Sequence, residues 1–113
     1  MIEQAQAREA VRVSPATLFE IVALHTAGRL RLAQPPEQWI EESLDGPGVR
    51  LAELTRSVAV DAGFIPRRAV PDPLDRFLVA TARQLDATFL TADSAVLAYA
   101  ARTGNMRAHD LTR

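Results

Sequence analysis

The chain has 113 residues, 48% of them apolar and 24% charged, with a formal net charge of −1, the proportions of one soluble globular domain. A balanced charge excludes a protein drawn to nucleic acid by its overall field, and the lack of cysteine excludes disulfides and thiolate chemistry. No apolar run is long enough to span a bilayer and no signal-peptide region opens the chain, so a cytoplasmic location is expected.

All thirteen basic residues are arginine. Arginine forks suit phosphate recognition, although a coding preference for arginine is the simpler cause. Residues 2–10 have helix-forming composition without a strong apolar stripe, and Val11-Arg12-Val13 is a short β-prone run. Ser14-Pro15 then gives a helix start, with Ser14 as cap and Pro15 at the first helical position. That helix is expected to reach about Ala27 and stop at Gly28. Leu18, Ile21, Val22 and His25 recur at helical spacing and define the face expected to enter the core, with His25 a packed histidine rather than a ligand.

Pro35-Pro36 opens a second helix carrying Trp39, Ile40 and Leu44, closed by the turn cluster Asp45-Gly46-Pro47-Gly48. Residues 49–54 partly alternate as a strand does. Thr55 caps a helix through Val58, Ala59 and Ala62 that ends at Gly63. A loop over 64–70 holds Pro66, Arg67 and Arg68. A helix from Pro73 to about Leu85, the strand Thr88-Phe89-Leu90 and a helix from Ala92 to about Ala101 follow. Gly104 ends the last helix, with a short strand near Met106. Helices alternating with strands predict an α/β domain with a parallel sheet.

Two acids lie where α/β folds build sites: Asp75 at a helix start and Asp93 just past a strand. Asp93 has no basic residue nearby in sequence, and Asp75 has only Arg76, which as a direct neighbour points to another face; a bound cation is a plausible partner for both. Each has a structural reading too. Asp72 sits where an N-cap belongs, Asp75 falls three residues later in a near capping-box arrangement, and Asp93 reads as a first-turn acid after the cap Thr91. Glu20 lies mid-helix between Phe19 and Ile21, and a solvated position and a site position are equally open to it.

The combination is more specific than its parts. Val13-Ser14-Pro15-Ala16-Thr17-Leu18-Phe19-Glu20-Ile21, Asp72-Pro73-Leu74-Asp75-Arg76-Phe77-Leu78-Val79-Ala80-Thr81-Ala82 and Phe89-Leu90-Thr91-Ala92-Asp93 together resemble the PIN-domain ribonucleases, most closely the VapC-type toxins of type II toxin–antitoxin pairs. The likeness extends over nearly the whole chain, including the Gly28-Arg29-Leu30 turn and the Trp39 helix. It implies a PIN-like parallel sheet flanked by helices, with clustered carboxylates at its C-terminal edge holding Mg²⁺ or Mn²⁺ for hydrolysis of RNA phosphodiesters. Carried over by motif, Glu20, Asp75 and Asp93 are the metal and catalytic acids, and Asp72, Arg76 and Thr91 support them. RNA is the implied substrate and an antitoxin the implied protein partner, with homodimerisation open and no membrane role. Arg67, Arg68 and Arg76 are candidate phosphate contacts.

One feature of that family has no counterpart here. Its members begin with a short hydrophobic strand ending in Asp, whereas the only acids upstream of Glu20 are Glu3 and Glu9. The first, central strand is therefore expected to be absent and the domain N-terminally truncated. An impaired nuclease and a poorly stable or self-associating monomer follow, since the neighbours of a lost central strand keep unpaired backbone groups. The competing readings are a remnant that binds only an antitoxin or another protein, and an unrelated α/β domain whose acids are helix caps.

Overall fold

The computed structural model describes residues 11–91 and 93–111. The helix-forming segment 2–10 and the expected loss of a preceding strand both lie outside those residues. Among the described residues nine elements follow one another: β1 (Val11–Val13), α1 (Pro15–Thr26), α2 (Pro36–Leu44), β2 (Val49–Leu51), α3 (Arg56–Phe64), α4 (Pro73–Gln84), β3 (Thr88–Thr91), α5 (Ser94–Thr103) and β4 (Arg107–Asp110). The fold is α/β with parallel pairing throughout. The described strands form two separate two-stranded sheets, β1–β2 and β3–β4, within two compact units, Met1–Glu53 and Leu54–Arg113. No helix among the described residues is long and apolar enough to cross a membrane.

In the first unit, β1 and β2 pair with Val11 opposite Val49 and Val13 opposite Leu51. A parallel pair needs a crossover, and α1 and α2 supply it. Ser14 Oγ accepts from the Ala16 amide at 3.1 Å, capping α1 ahead of Pro15. At the other end Gly28 takes φ 75° and the Arg29 amide donates back to Leu24 O at 2.9 Å, a left-handed closure that satisfies the last carbonyls. His25 Nδ1 lies 3.2 Å from Leu30 O. A carbonyl only accepts, so the proton sits on Nδ1 and the ring ties the post-helix turn to α1.

The core face expected on α1 forms only in part. Only Ala16 is buried on this helix, Leu18, Ile21 and His25 are half-buried, and Val22 is exposed together with Phe19. The reason is visible in the segment itself: Leu18, Phe19, Ile21, Val22 and Leu24 spread over more than half of the helix circumference instead of gathering in one stripe, and Phe19 and Val22, at one edge of that spread, are the exposed ones.

The second unit has the larger core. Val58, Ala62, Ile65, Val70, Val79, Ala80, Val96, Tyr99 and Met106 cluster, with Phe77 and Phe89 packed against them. Val70, Val79 and Val96 are fully buried, and each such burial contributes roughly 1.5–3 kcal/mol. α5 is the crossover between the parallel strands β3 and β4, whose register runs from Thr88 opposite Arg107 to Thr91 opposite Asp110. α4 stops without a glycine: Asp86 takes φ 51° and the Ala87 amide reaches Ala82 O at 2.9 Å. Asp is among the few non-glycine residues that tolerate this left-handed position. α5 stops at Gly104, at φ 66° with nothing within 4 Å of a Cβ placed there. Gly104→Ala thus meets backbone strain alone, and thermal unfolding should register a loss of about 1 kcal/mol, or about 5 °C in Tm.

Candidate active site

α4 begins with Asp72, whose Oδ1 accepts from the Leu74 amide at 2.9 Å, followed by Pro73 in the first turn. This is an N-cap, as the sequence predicts, but the bond goes to Leu74 rather than to Asp75. Asp75 therefore has no part in receiving that cap. It sits half-buried in the first turn of α4 and makes a polar interaction of its own. Arg76 follows, with its Nε buried and without a hydrogen-bond partner. A buried unsatisfied donor on a group that is always charged costs about 1–3 kcal/mol or more.

The second acid reaches its place by a different device. β3 ends at Thr91, which is buried, and Thr91 Oγ1 accepts from the Asp93 amide at 3.0 Å. Asp93 Oδ1 then accepts from the Val96 amide at 3.0 Å. Asp93 is thus the N-cap of α5 and not a first-turn acid, and Thr91 shapes the turn before it instead of capping the helix. Asp93 is exposed, and its Oδ1 holds the helix start. Thr91→Val keeps the shape and removes the acceptor, which should lower stability by about 1 kcal/mol in chemical denaturation.

The connection between α4 and β3 spans only residues 85–87 and the two elements pack together. So short a link reverses the chain, which brings the first turn of α4 to the level of the C-terminal end of β3. Asp75 and Asp93 accordingly belong to one end of the second unit, the end where parallel α/β sheets bind ligands. Both lie at helix N-termini. Glu20 is exposed on α1 in the first unit. Among the described residues no group of three or more His, Cys, Asp or Glu is disposed to hold a metal ion. The donors fit such an ion in chemical kind, since Mg²⁺ and Mn²⁺ take hard oxygen ligands and Mg²⁺ needs only one or two direct carboxylates beside its waters.

A polar network that no residue spacing announces braces this unit. Arg83 on α4 donates from Nη2 to Asp61 Oδ1 at 2.7 Å and from Nε to Asp61 Oδ2 at 3.2 Å, tying α4 to α3. Its Nη1 donates to the Tyr99 hydroxyl on α5 at 2.9 Å, and Asn105 donates to the same oxygen at 3.2 Å. Burial works against the Arg83 charge, but the hydrogen bond to Asp61 and the charges of Tyr99 and Asp61 outweigh it and hold its pKa above the ordinary value. On the solvent side of this network an open recess of about 930 Å³ is lined by Arg56, Val60, Asp61, Phe64 and Arg83, among others. Phe64 is 80% exposed there.

Compared with known proteins, the chain matches the family model described as PIN domain over residues 2–102. No curated protein matches it.

Proposed function

The chain belongs to the PIN-domain family, a nuclease family that typically binds a divalent metal and acts on nucleic acid, and from that premise we propose that it is a metal-dependent endoribonuclease of the VapC toxin type, hydrolysing RNA phosphodiesters. The observation that supports the reading is that Asp75 stands in the first turn of α4 and Asp93 is the N-cap of α5, just beyond the end of β3. Asp75 and Asp93 are the acids of the second unit that would hold the metal, with Asp72, Arg76 and Thr91 in support, and Glu20 is the third metal acid that the family likeness implies. Bound Mg²⁺ or Mn²⁺ supplies activated water and neutralises charge on the phosphate.

The remaining work falls to the protein. Asp72 and Asp93 fix the two helix starts, so the neighbouring carboxylate oxygens are held by backbone and not by a mobile loop. Thr91 sets the direction in which Asp93 leaves the strand. The guanidinium of Arg76, next to Asp75 in the first turn of α4, is the cation proposed to meet a phosphate oxygen. An antitoxin is the proposed protein partner, covering the enzyme when it is silent.

The direct test is cleavage of single-stranded RNA by the full chain in Mg²⁺ or Mn²⁺, with EDTA as control. A Mn²⁺ titration of the wild type against Glu20→Ala and Asp75→Ala separates metal ligands from mere helix-start acids, because the latter leave metal affinity unchanged. A second reading, protein binding without catalysis, is favoured by the exposed Phe64 and Val60 along the α3 recess. Intact RNA in the cleavage assay, with a partner retained on that surface, would select it.

A further inference from the structure

The loop between α3 and α4 is built as a platform. Ile65 at its start is 3% exposed and Val70 at its end 1%, so both ends are anchored in the core of the second unit. Between them, the amides of Ala69 and Val70 both donate to Pro66 O, at 3.0 and 3.1 Å, closing a single helical turn. Ala69 packs against the same core. The turn leaves Arg67 and Arg68 exposed at its centre, and Pro66, Arg67, Arg68 and Pro71 line an open recess of about 580 Å³.

These two cations are not used by the fold. Elsewhere in the unit Arg83 is paired with Asp61 and Arg107 with Asp86, whereas Arg67 and Arg68 form no ion pair or side-chain hydrogen bond among the described residues. The nearest acid along the chain, Asp72, has one oxygen engaged on the Leu74 amide. The loop also runs straight into the N-terminus of α4, whose dipole adds positive potential to the same end. Two uncompensated guanidinium groups on a core-anchored turn, between two pyrrolidine rings, match the two halves of a nucleotide. The guanidinium forks take phosphate, and an Arg plane or a ring face offers a surface on which an unstacked base lies.

We infer that the Pro66–Pro71 recess is a nucleotide subsite, in which one residue of a single RNA strand rests its base against Pro66 and Pro71 and its phosphate on Arg67 and Arg68. This deepens the ribonuclease reading and rests on it: the subsite precedes Asp72 and Asp75 by only a few residues, so the strand it holds is presented to their end of the unit. Affinity would come from the arginines, and any preference between bases from the shape between the prolines.

The test is equilibrium binding of a labelled single-stranded RNA in EDTA, followed by fluorescence anisotropy at several salt concentrations. For the Arg67→Ala/Arg68→Ala variant we expect at least about a tenfold loss of affinity and a salt dependence shallower by about one phosphate contact or more. Arg67→Lys/Arg68→Lys should recover much of the salt dependence. One abasic nucleotide in the RNA should weaken wild-type binding and leave a Pro66→Ala/Pro71→Ala variant indifferent. Both arginines are exposed, so thermal unfolding of the variants should match the wild type. Unchanged affinity in the double alanine variant overturns the subsite, as does tighter binding of a phosphopeptide than of RNA. Arginine-dependent RNA binding without metal-dependent cleavage keeps the subsite and removes the nuclease; cleavage with arginine-independent binding does the reverse.

Discussion

Asp75→Asn is expected to lower metal-dependent RNA cleavage by at least about a hundredfold, the rate equivalent of roughly 3 kcal/mol of lost transition-state stabilisation. Asparagine keeps the shape and one carbonyl oxygen but loses the negative charge a divalent ion requires. Asp93→Asn should do the same, and it is the more discriminating variant. Asn caps a helix about as well as Asp, so the bond to the Val96 amide survives and stability should change by less than about 1 kcal/mol, mostly through the helix dipole. Asp93→Ala removes cap and charge together and should also lose about 1 kcal/mol of stability. If Asp93→Asn cleaves RNA at the wild-type rate while Asp93→Ala is merely less stable, Asp93 is a cap and the catalytic assignment fails. Denaturation curves beside initial rates decide between the two.

Asp93 also shows how far a single sequence can be read. That an acid stands after the strand Thr88-Phe89-Leu90 was legible; that it is itself the cap was not. Thr91 and Asp93 are both good capping residues two positions apart, and only the backbone direction at the end of β3 decides between them. Other helix boundaries were readable because their chemistry is local: Ser14-Pro15, Thr55, Asp72-Pro73 and the glycines at 28 and 104 each satisfy orphan backbone groups within a few residues. The end of α4 was placed a residue late, at Leu85, because the left-handed position fell to Asp86 instead of a glycine. The face of α1 is legible only in part, because apolar residues at helical spacing define a buried face only when the other faces are polar, and Phe19 beside Val22 breaks that condition. For the site, sequence supplied residue types and the family likeness. It could not supply which carboxylate oxygens are already engaged, since those bonds depend on where each helix starts.

The network least visible in the sequence should matter most to stability. Arg83 and Asp61 lie 22 positions apart, so no helical spacing announces them. Their side chains are 17% and 31% exposed, against 59% and 89% for the Arg107–Asp86 pair. That difference decides their weight: an exposed pair is screened and contributes about 0–1 kcal/mol, whereas breaking a well-shielded, bidentate pair leaves a desolvated charge behind. Arg83→Met keeps the aliphatic packing, strands the Asp61 carboxylate and removes a donor from Tyr99, and should lower stability by roughly 2 kcal/mol, below the 3–5 kcal/mol of a fully buried pair because water still reaches both groups. Asp61→Ala should lose roughly 1–2 kcal/mol, since the guanidinium retains Tyr99 and some access to solvent. The double variant should fall short of the sum by about 1 kcal/mol or more, as directly bonded residues do. Arg83 stays charged at any ordinary pH, so its own ionisation adds no pH dependence to this loss. Losses in the two single variants that add within about 0.3 kcal/mol in the double variant would show that α3 and α4 are held by the apolar cluster alone, with Arg83 only resting on its surface.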